Sequence, residues 1–396
     1  MVGKRRYTLR TILRPPAPRR VDPPAMCGKN LACPGALFLL SLSPNGYSPQ
    51  RGVHRVLSSE GHRSGGDRDA MDHEDGRERT RTKRVAIACQ GGGSHSAFTA
   101  GALKRLLQDE RERYEIVALS GTSGGAICAL LVWYALLRDD RGLAVRLLES
   151  FWEGVSASSP AELVMNDLLV GATRTQGSVA APMITPYLYP EWGREALEEA
   201  LEGLVDFGEI ERLVTASSPK LLIGAVEVLS GEFEVFRNEE VTAKKILASC
   251  ALPMMFRAVR LGDDGVYWDG LFSQNPPIRD FMREFPDTAT KPDEIWLIQI
   301  SPQRREHEPK SISEILNRRG EMSGNLALHQ EIDFLNEING LLSYLPKEHY
   351  KHIEVRKIEM FRELDAASKI DRSPSFVGEM FAYGEEQAEE QLKGLS

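Results

Sequence analysis

Cysteine is scarce in this chain, and its spacing pairs nothing. Cys27, Cys33, Cys89, Cys128 and Cys250 show no short paired spacing and no nearby histidine in a zinc pattern, which argues against a disulfide framework and against a zinc module. Three of them, Cys89, Cys128 and Cys250, fall inside apolar segments, where a reduced thiol behaves as a small hydrophobe. The chain is therefore expected in a reducing compartment, the cytoplasm. No apolar run reaches the roughly 18 to 20 residues that a bilayer-spanning helix needs. An internal repeat and an acidic loop of the calcium-binding kind are also missing. So is a basic body: the 396 residues carry a net charge of −8, and residues 1–70 hold 12 Lys and Arg against 4 Asp and Glu, which leaves −16 on residues 71–396. That balance speaks against a nucleic-acid partner.

What is present divides unevenly. Residues 1–80 are basic, hold the pairs Pro15-Pro16 and Pro23-Pro24, and show little hydrophobic periodicity, so they read as a disordered leader or extension. Within them Leu31 to Leu42 is a mostly apolar run behind a basic segment. A signal-peptide core, with secretion, is one reading of it; a transit peptide, or an extension upstream of a start at Met71, is favoured because no clear cleavage site follows. The remainder, at 42% hydrophobic and 27% charged for the whole chain, has the composition of a globular body with a sizeable core. We divide it into a main domain over 81–305 and a mostly helical part over 306–396 packed on the same domain.

The periodicities order that body. Arg84 to Cys89 is a short buried strand, and Ala97 to Leu107 a helix. Glu115 to Leu119 is a second strand, and Ala126 to Leu137 a second helix without glycine or proline. Strand, glycine loop, helix, strand, turn, helix argues for an α/β fold with a mainly parallel sheet. Arg141 to Glu153 and Glu195 to Leu204 are helical. Leu163 to Trp192 is read as irregular, an apolar loop with Met183, Ile184, Tyr187, Leu188, Tyr189 and Trp192 that either covers the core or forms a lid or acyl-chain wall. Leu221 to Val228 and Phe233 to Phe236 flank a turn as a hairpin. A helix follows over Thr242 to Cys250, then strands before Asp269 and over Glu294 to Ile300. Helices over Ile312 to Leu345, a strand over His352 to Ile358 and a last helix over Ser375 to Leu392 complete the chain.

Two glycine-rich turns carry the chemistry. Gly121-Thr-Ser123-Gly-Gly125 joins the second strand to the second helix, a tight turn that pushes one hydroxyl out at the sheet's carboxyl edge over a helix amino end. Gly121 and Gly125 keep bulk away from it. Gly91-Gly92-Gly93 ends the first strand and leaves successive amides pointing at one place, which suits an anion. A dinucleotide loop wants a third glycine where Ser96 stands and an acidic residue at the end of the next strand, so an oxyanion hole is favoured over a pyrophosphate cradle. Ser94 and His95 border that loop and are weaker candidates for substrate contact.

Asp269-Gly270 lies behind the aromatic strand Val266-Tyr267-Trp268. A solvated turn carboxylate is the ordinary reading of Asp-Gly. Its place at a strand end, in partly apolar surroundings, makes it a candidate base for the Ser123 hydroxyl, with Gly270 beside the substrate. A histidine base stays open: none of the eight stands in a setting that singles it out.

Gly91-Gly-Gly-Ser-His-Ser96, Gly121-Thr-Ser-Gly-Gly125 and Asp269-Gly270, with Ala248-Ser-Cys-Ala-Leu-Pro253 and the hairpin before it, resemble the patatin-like phospholipase family in order and spacing. The resemblance covers Lys83 to Ile300. It implies a three-layer α/β/α fold and hydrolysis of lipid acyl esters, phospholipase A or carboxylesterase in type, with Ser123 as nucleophile, Asp269 as base and the loop amides as oxyanion hole. The partner it implies is a lipid or membrane-surface substrate, and no metal or cofactor is required. Three positions depart from the family: His95 and Ser96 stand where Arg or Lys and then Gly are usual, and Leu271 where a small residue is. Two other readings are kept, a nucleotide-binding module using Gly91 to Gly93 and a catalytically silent lipid-binding relative.

Overall fold

A computed structural model describes residues 82–109, 113–175, 185–188, 190–263, 265–342, 344–345 and 350–394. The basic leader, with Cys27, Cys33 and the Leu31 to Leu42 run, lies outside them. Residues Gly76–Ser396 form one compact unit.

Eight strands among the described residues make one sheet: β1 (Lys83–Cys89), β2 (Tyr114–Gly121), β3 (Lys220–Glu227), β4 (Phe233–Arg237), β5 (Val259–Arg260), β6 (Val266–Asp269), β7 (Glu294–Gln299) and β8 (Glu354–Glu359). The helices are α1 (Ser96–Leu107), α2 (Gly124–Leu136), α3 (Arg141–Val155), α4 (Pro160–Thr175), α5 (Trp192–Leu204), α6 (Ile210–Leu213), α7 (Ala243–Ser249), α8 (Phe281–Glu284), α9 (Ile312–Leu342) and α10 (Pro374–Lys393). Strands β3, β2, β1, β7 and β8 run parallel in that order, and β4 joins β3 as the expected antiparallel hairpin.

The period of two along a strand builds three layers. Val85, Ile87 and Cys89 of β1 pack with Phe98, Leu103, Leu130, Trp133, Leu148 and Met380, from α1, α2, α3 and α10. Ala86 and Ala88 face the other way, into a second core with Phe281 of α8 and Leu328, Ile332 and Leu335 of α9. The sheet is therefore covered on both faces, as its near-continuous apolar strands require.

Strand β3 aligns the site. Its residues Leu222 to Val226 pair with β4 along one edge. The other edge is shared end to end: Gly121, the last residue of β2, sits opposite Ile223, and Asp269, the last of β6, sits opposite Ala225. Because β2 is parallel and β6 antiparallel to β3, their carboxyl ends meet on either side of Gly224.

The irregular stretch expected over Leu163 to Trp192 is instead helical at both ends. Ser159 and Glu162 cap α4 reciprocally: the Glu162 amide donates to Ser159 Oγ at 3.3 Å, and the Ser159 amide to Glu162 Oε2 at 2.9 Å, a capping box with Pro160 at the first helical position. Tyr187, Leu188 and Trp192 are exposed, so they do not cover the core; Met183, Ile184 and Tyr189 lie outside the described residues. Toward the chain end, α9 is one long helix where several were expected.

Candidate active site

The turn after β2 is built by backbone packing on backbone. A Cβ added at Gly121 would lie 2.4 Å from the Gly125 carbonyl oxygen, and one at Gly125 would lie 2.3 Å from that of Cys89. Ser123, caught between them, has φ 56° and ψ −132°, a left-handed backbone that an L-residue holds only when its surroundings force it. It caps α2, so the helix's amides lie beneath it. Its own amide donates to Ser249 Oγ at 3.0 Å, and that hydroxyl donates to the Gly224 carbonyl at 2.7 Å. Thr122 Oγ1 donates to the Gln274 carbonyl at 2.7 Å.

Asp269 meets this turn from the other strand. It is 2% exposed, and its amide is held by the Ala251 carbonyl. Burial pushes its carboxyl up to about 7; hydrogen bonds from the Ser123 side chain and the Leu271 amide oppose the rise. The Leu271 amide donates to Oδ1 at 2.9 Å. The structure thus brings together the hydroxyl and the carboxylate singled out in the sequence, and gives the carboxylate the basicity a proton acceptor needs near neutrality.

The glycine loop lies against the same turn. A Cβ at Gly91 would fall 2.1 Å from the Thr122 carbonyl oxygen and 2.6 Å from Ser123 Cβ. The three glycines do not act alike, however. The Gly91 amide donates to Asn275 Oδ1 at 2.8 Å, and Asn275 Nδ2 returns a bond to the Gly91 carbonyl at 3.3 Å. Gly91 is therefore a clamp point and not one of the free oxyanion donors expected. Gly92 and Gly93 follow at the head of a short 3₁₀ turn over Gly93–His95, where first-turn amides have no intrahelical partner.

Ser94 and His95 are buried in that turn, which corrects their assignment as substrate contacts. His95 Nε2 lies 2.7 Å from Ser368 Oγ, and burial, aided by the Lys369 charge, pushes the imidazole down to about 3. The ring is neutral and faces the carboxyl-terminal segment. Gly270 is likewise buried: a Cβ there would meet the Gly224 carbonyl oxygen at 2.7 Å. Both remaining departures from the family are accommodated. Ser96 Oγ occupies the space beside Gly124, 2.5 Å from where a Cβ would stand, and Leu271 Cδ1 packs at 2.8 Å from the equivalent point on Gly324 of α9.

Ser249 and Asn275 are the neighbours that sequence reasoning did not assign. Ser249 lies in a stretch already noted, Ala248 to Pro253, and Asn275 a few residues beyond Asp269-Gly270, but no local pattern marks a residue that works by reaching another loop. Among the described residues no cluster of histidine, cysteine, aspartate and glutamate has the arrangement of a metal site. A cleft of about 300 Å³ between α4 and α9 takes in neither Ser123 nor Asp269.

Residues 87–282 match the family model described as Patatin-like phospholipase. Among solved structures the chain is similar to VipD from Legionella pneumophila, at 13% identity and a TM-score of 0.39 over 79% of this chain and 67% of that one. It is similar also to the type III effector protein ExoU, at 14% identity and 0.32 over 78% and 53%. A third similarity is to the ExoU–SpcU complex of the Pseudomonas aeruginosa type III secretion system, at 12% and 0.29 over 80% and 52%. The chain thus spans about half the length of the ExoU chains. No curated protein matches it.

Proposed function

Residues 87–282 being a patatin-like phospholipase domain, we propose that the chain is a lipid acyl hydrolase working through a dyad of Ser123 and Asp269. The observation that carries this reading is the meeting, on either side of Gly224, of a strained, helix-capping serine turn with a buried carboxylate held near a pKa of 7. Ser123 Oγ attacks the acyl carbonyl as its proton passes to Asp269. The tetrahedral oxyanion is held by the Gly92 and Gly93 amides, each such donor being worth about 2.7 to 4 kcal/mol. Asp269 returns the proton to the departing alcohol or lysolipid, leaving an acyl-enzyme. Water then attacks the acyl carbon, giving its proton to Asp269, and the fatty acid leaves as Ser123 recovers that proton.

The test is labelling and turnover together. A fluorophosphonate is expected to modify Ser123 in the folded protein, and a lipid panel with product identification is expected to show acyl release that Ser123→Ala and Asp269→Asn both abolish. Because Asp269 must be ionised to act, kcat/KM on a soluble ester should rise about tenfold per pH unit below 7 and level off above it. Unlabelled Ser123, or turnover indifferent to Asp269→Asn, would remove the dyad.

A further inference from the structure

Two surface helices turn apolar residues outward over part of their length, although α9 also buries Leu328, Ile332 and Leu335 and α4 buries Val170. α9 turns Asn317, Glu321, Asn325 and Glu331 inward, while Ile312, Ile315, Leu316, Met322 and Leu326 stand between 48% and 63% exposed. α4 buries Asn166 and leaves Val164, Met165, Leu168 and Leu169 between 52% and 62% exposed. A helix packed on a globular body and facing water carries the opposite arrangement, and apolar side chains gathered on a surface mark a partner.

The inward polar side has a structural reason. Asn166 bonds Asp371 and the Arg372 amide, Asn325 receives Gln90, Glu331 takes the amides of Ile278 and Arg279, and Glu321 pairs with Arg305. The outward apolar side has none among the described residues. The two helices are neighbours, with Thr173 and Arg174 of α4 and Ser313 and Asn317 of α9 lining one cleft. α9 also reaches the candidate active site. Gly324 of α9 rests on Leu271, whose amide holds Asp269, and the next residue, Phe272, is half exposed.

Charge selects the partner. Residues 71–396 carry −16, yet from Ile312 to Leu326 the exposed charges of α9 are Glu314 and Arg319, which cancel. An anionic membrane repels such a body, whereas a zwitterionic one does not. We propose that the outward faces of α4 and α9 dock on a zwitterionic lipid bilayer, which lays the mouth of the Ser123 site against acyl esters. This rests on the hydrolase reading above.

The experiment is flotation of the Ser123→Ala protein, which consumes no lipid, with phosphatidylcholine vesicles. The pairs Leu168→Glu with Leu169→Glu, and Ile315→Glu with Leu316→Glu, are each expected to weaken binding about tenfold or more. In the otherwise unaltered chain the same pairs should leave hydrolysis of a soluble short-chain ester within about twofold, as expected for surface changes far from the dyad. Adding phosphatidylserine should reduce binding. Equal flotation of variants and parent overturns the proposal, as does light scattering that shows a dimer which the substitutions break. Binding is read without turnover, so a chain that floats but cleaves no ester fails as an enzyme while its docking face is supported.

Discussion

At the scale of single residues, the structure asks most of Asp269. A carboxyl at 2% exposure holds its charge almost without water, and its pKa climbs from 3.8 to about 7. The sign for stability follows from proton counting. Between these two values the folded state keeps a proton that the unfolded chain has released, so stability falls as pH rises from about 4 to about 7 and is flat above. At 1.36 kcal/mol per unit, the loss approaches about 4 kcal/mol. Asp269→Asn keeps an oxygen for the Leu271 amide and removes the charge. It is therefore expected to unfold at higher denaturant than wild type at pH 8, with the gap closing by pH 4, while its esterase activity is lost. Equal midpoints at both pH values would mean that the carboxylate is not buried as charge. The same arithmetic explains why the site is costly to the fold, since catalytic basicity and destabilisation are one shift measured in two ways.

At the scale of elements, the glycine loop proposed to hold the oxyanion owes its position to a segment outside the family match. The 3₁₀ turn Ala367–Ile370 presses on it: a Cβ at Gly93, which has φ 61°, would lie 2.2 Å from the Lys369 carbonyl oxygen, and Ser368 Oγ meets His95. Ser368 is itself fixed by Asp365, whose Oδ1 accepts the Ser368 amide at 2.7 Å. Ser368 is thus a positioning residue. Ser368→Ala is expected to lower kcat about tenfold with KM unchanged, part of the 10² to 10³ that one oxyanion donor supplies, and Ser368→Thr should restore it. Rates are to be taken per fluorophosphonate-reactive site, so that a variant which merely unfolds shows fewer sites at an unchanged rate per site. These long-range contacts also mark the limit of sequence reading. The strands, the Ser123 turn and Asp269 were legible because each is written locally, in apolar runs broken by glycine. The Gly91 clamp, the Ser249 relay and the inward turn of His95 were not, because each depends on a partner between 126 and 273 positions away. α4 is a different case. Its signals, a capping box at Ser159 to Glu162 and apolar residues at helical spacing from Val164 to Leu169, are local, but a sequence does not say which way such a stripe faces.

At the scale of the whole molecule, the chain after residue 305 is interlocked with the chain before it. β8 extends the sheet beside β7, and α10 packs along α1, where a Cβ at Gly384 would lie 1.9 Å from the Phe98 carbonyl oxygen. α9 supplies Asn325 to Gln90 and Glu331 to Gln274, at 2.9 and 2.8 Å. Cutting the chain after Arg305 strips the partners from these two buried amides and from the Ile278 and Arg279 amides, at about 1 to 3 kcal/mol each. It also uncovers one face of the sheet where Leu328, Ile332 and Leu335 had lain, each at about 1.5 to 3 kcal/mol. Those losses together are as large as the roughly 5 to 15 kcal/mol by which a domain is ordinarily stable. A chain of residues 76–305 is therefore expected to lack a cooperative thermal transition and to hydrolyse no ester, although it contains every residue of the family match. A chain of residues 76–396 should keep both. If the shorter chain melts cooperatively and labels at Ser123, the carboxyl-terminal third is an accessory, and the dyad stands on the first two hundred residues of the fold alone.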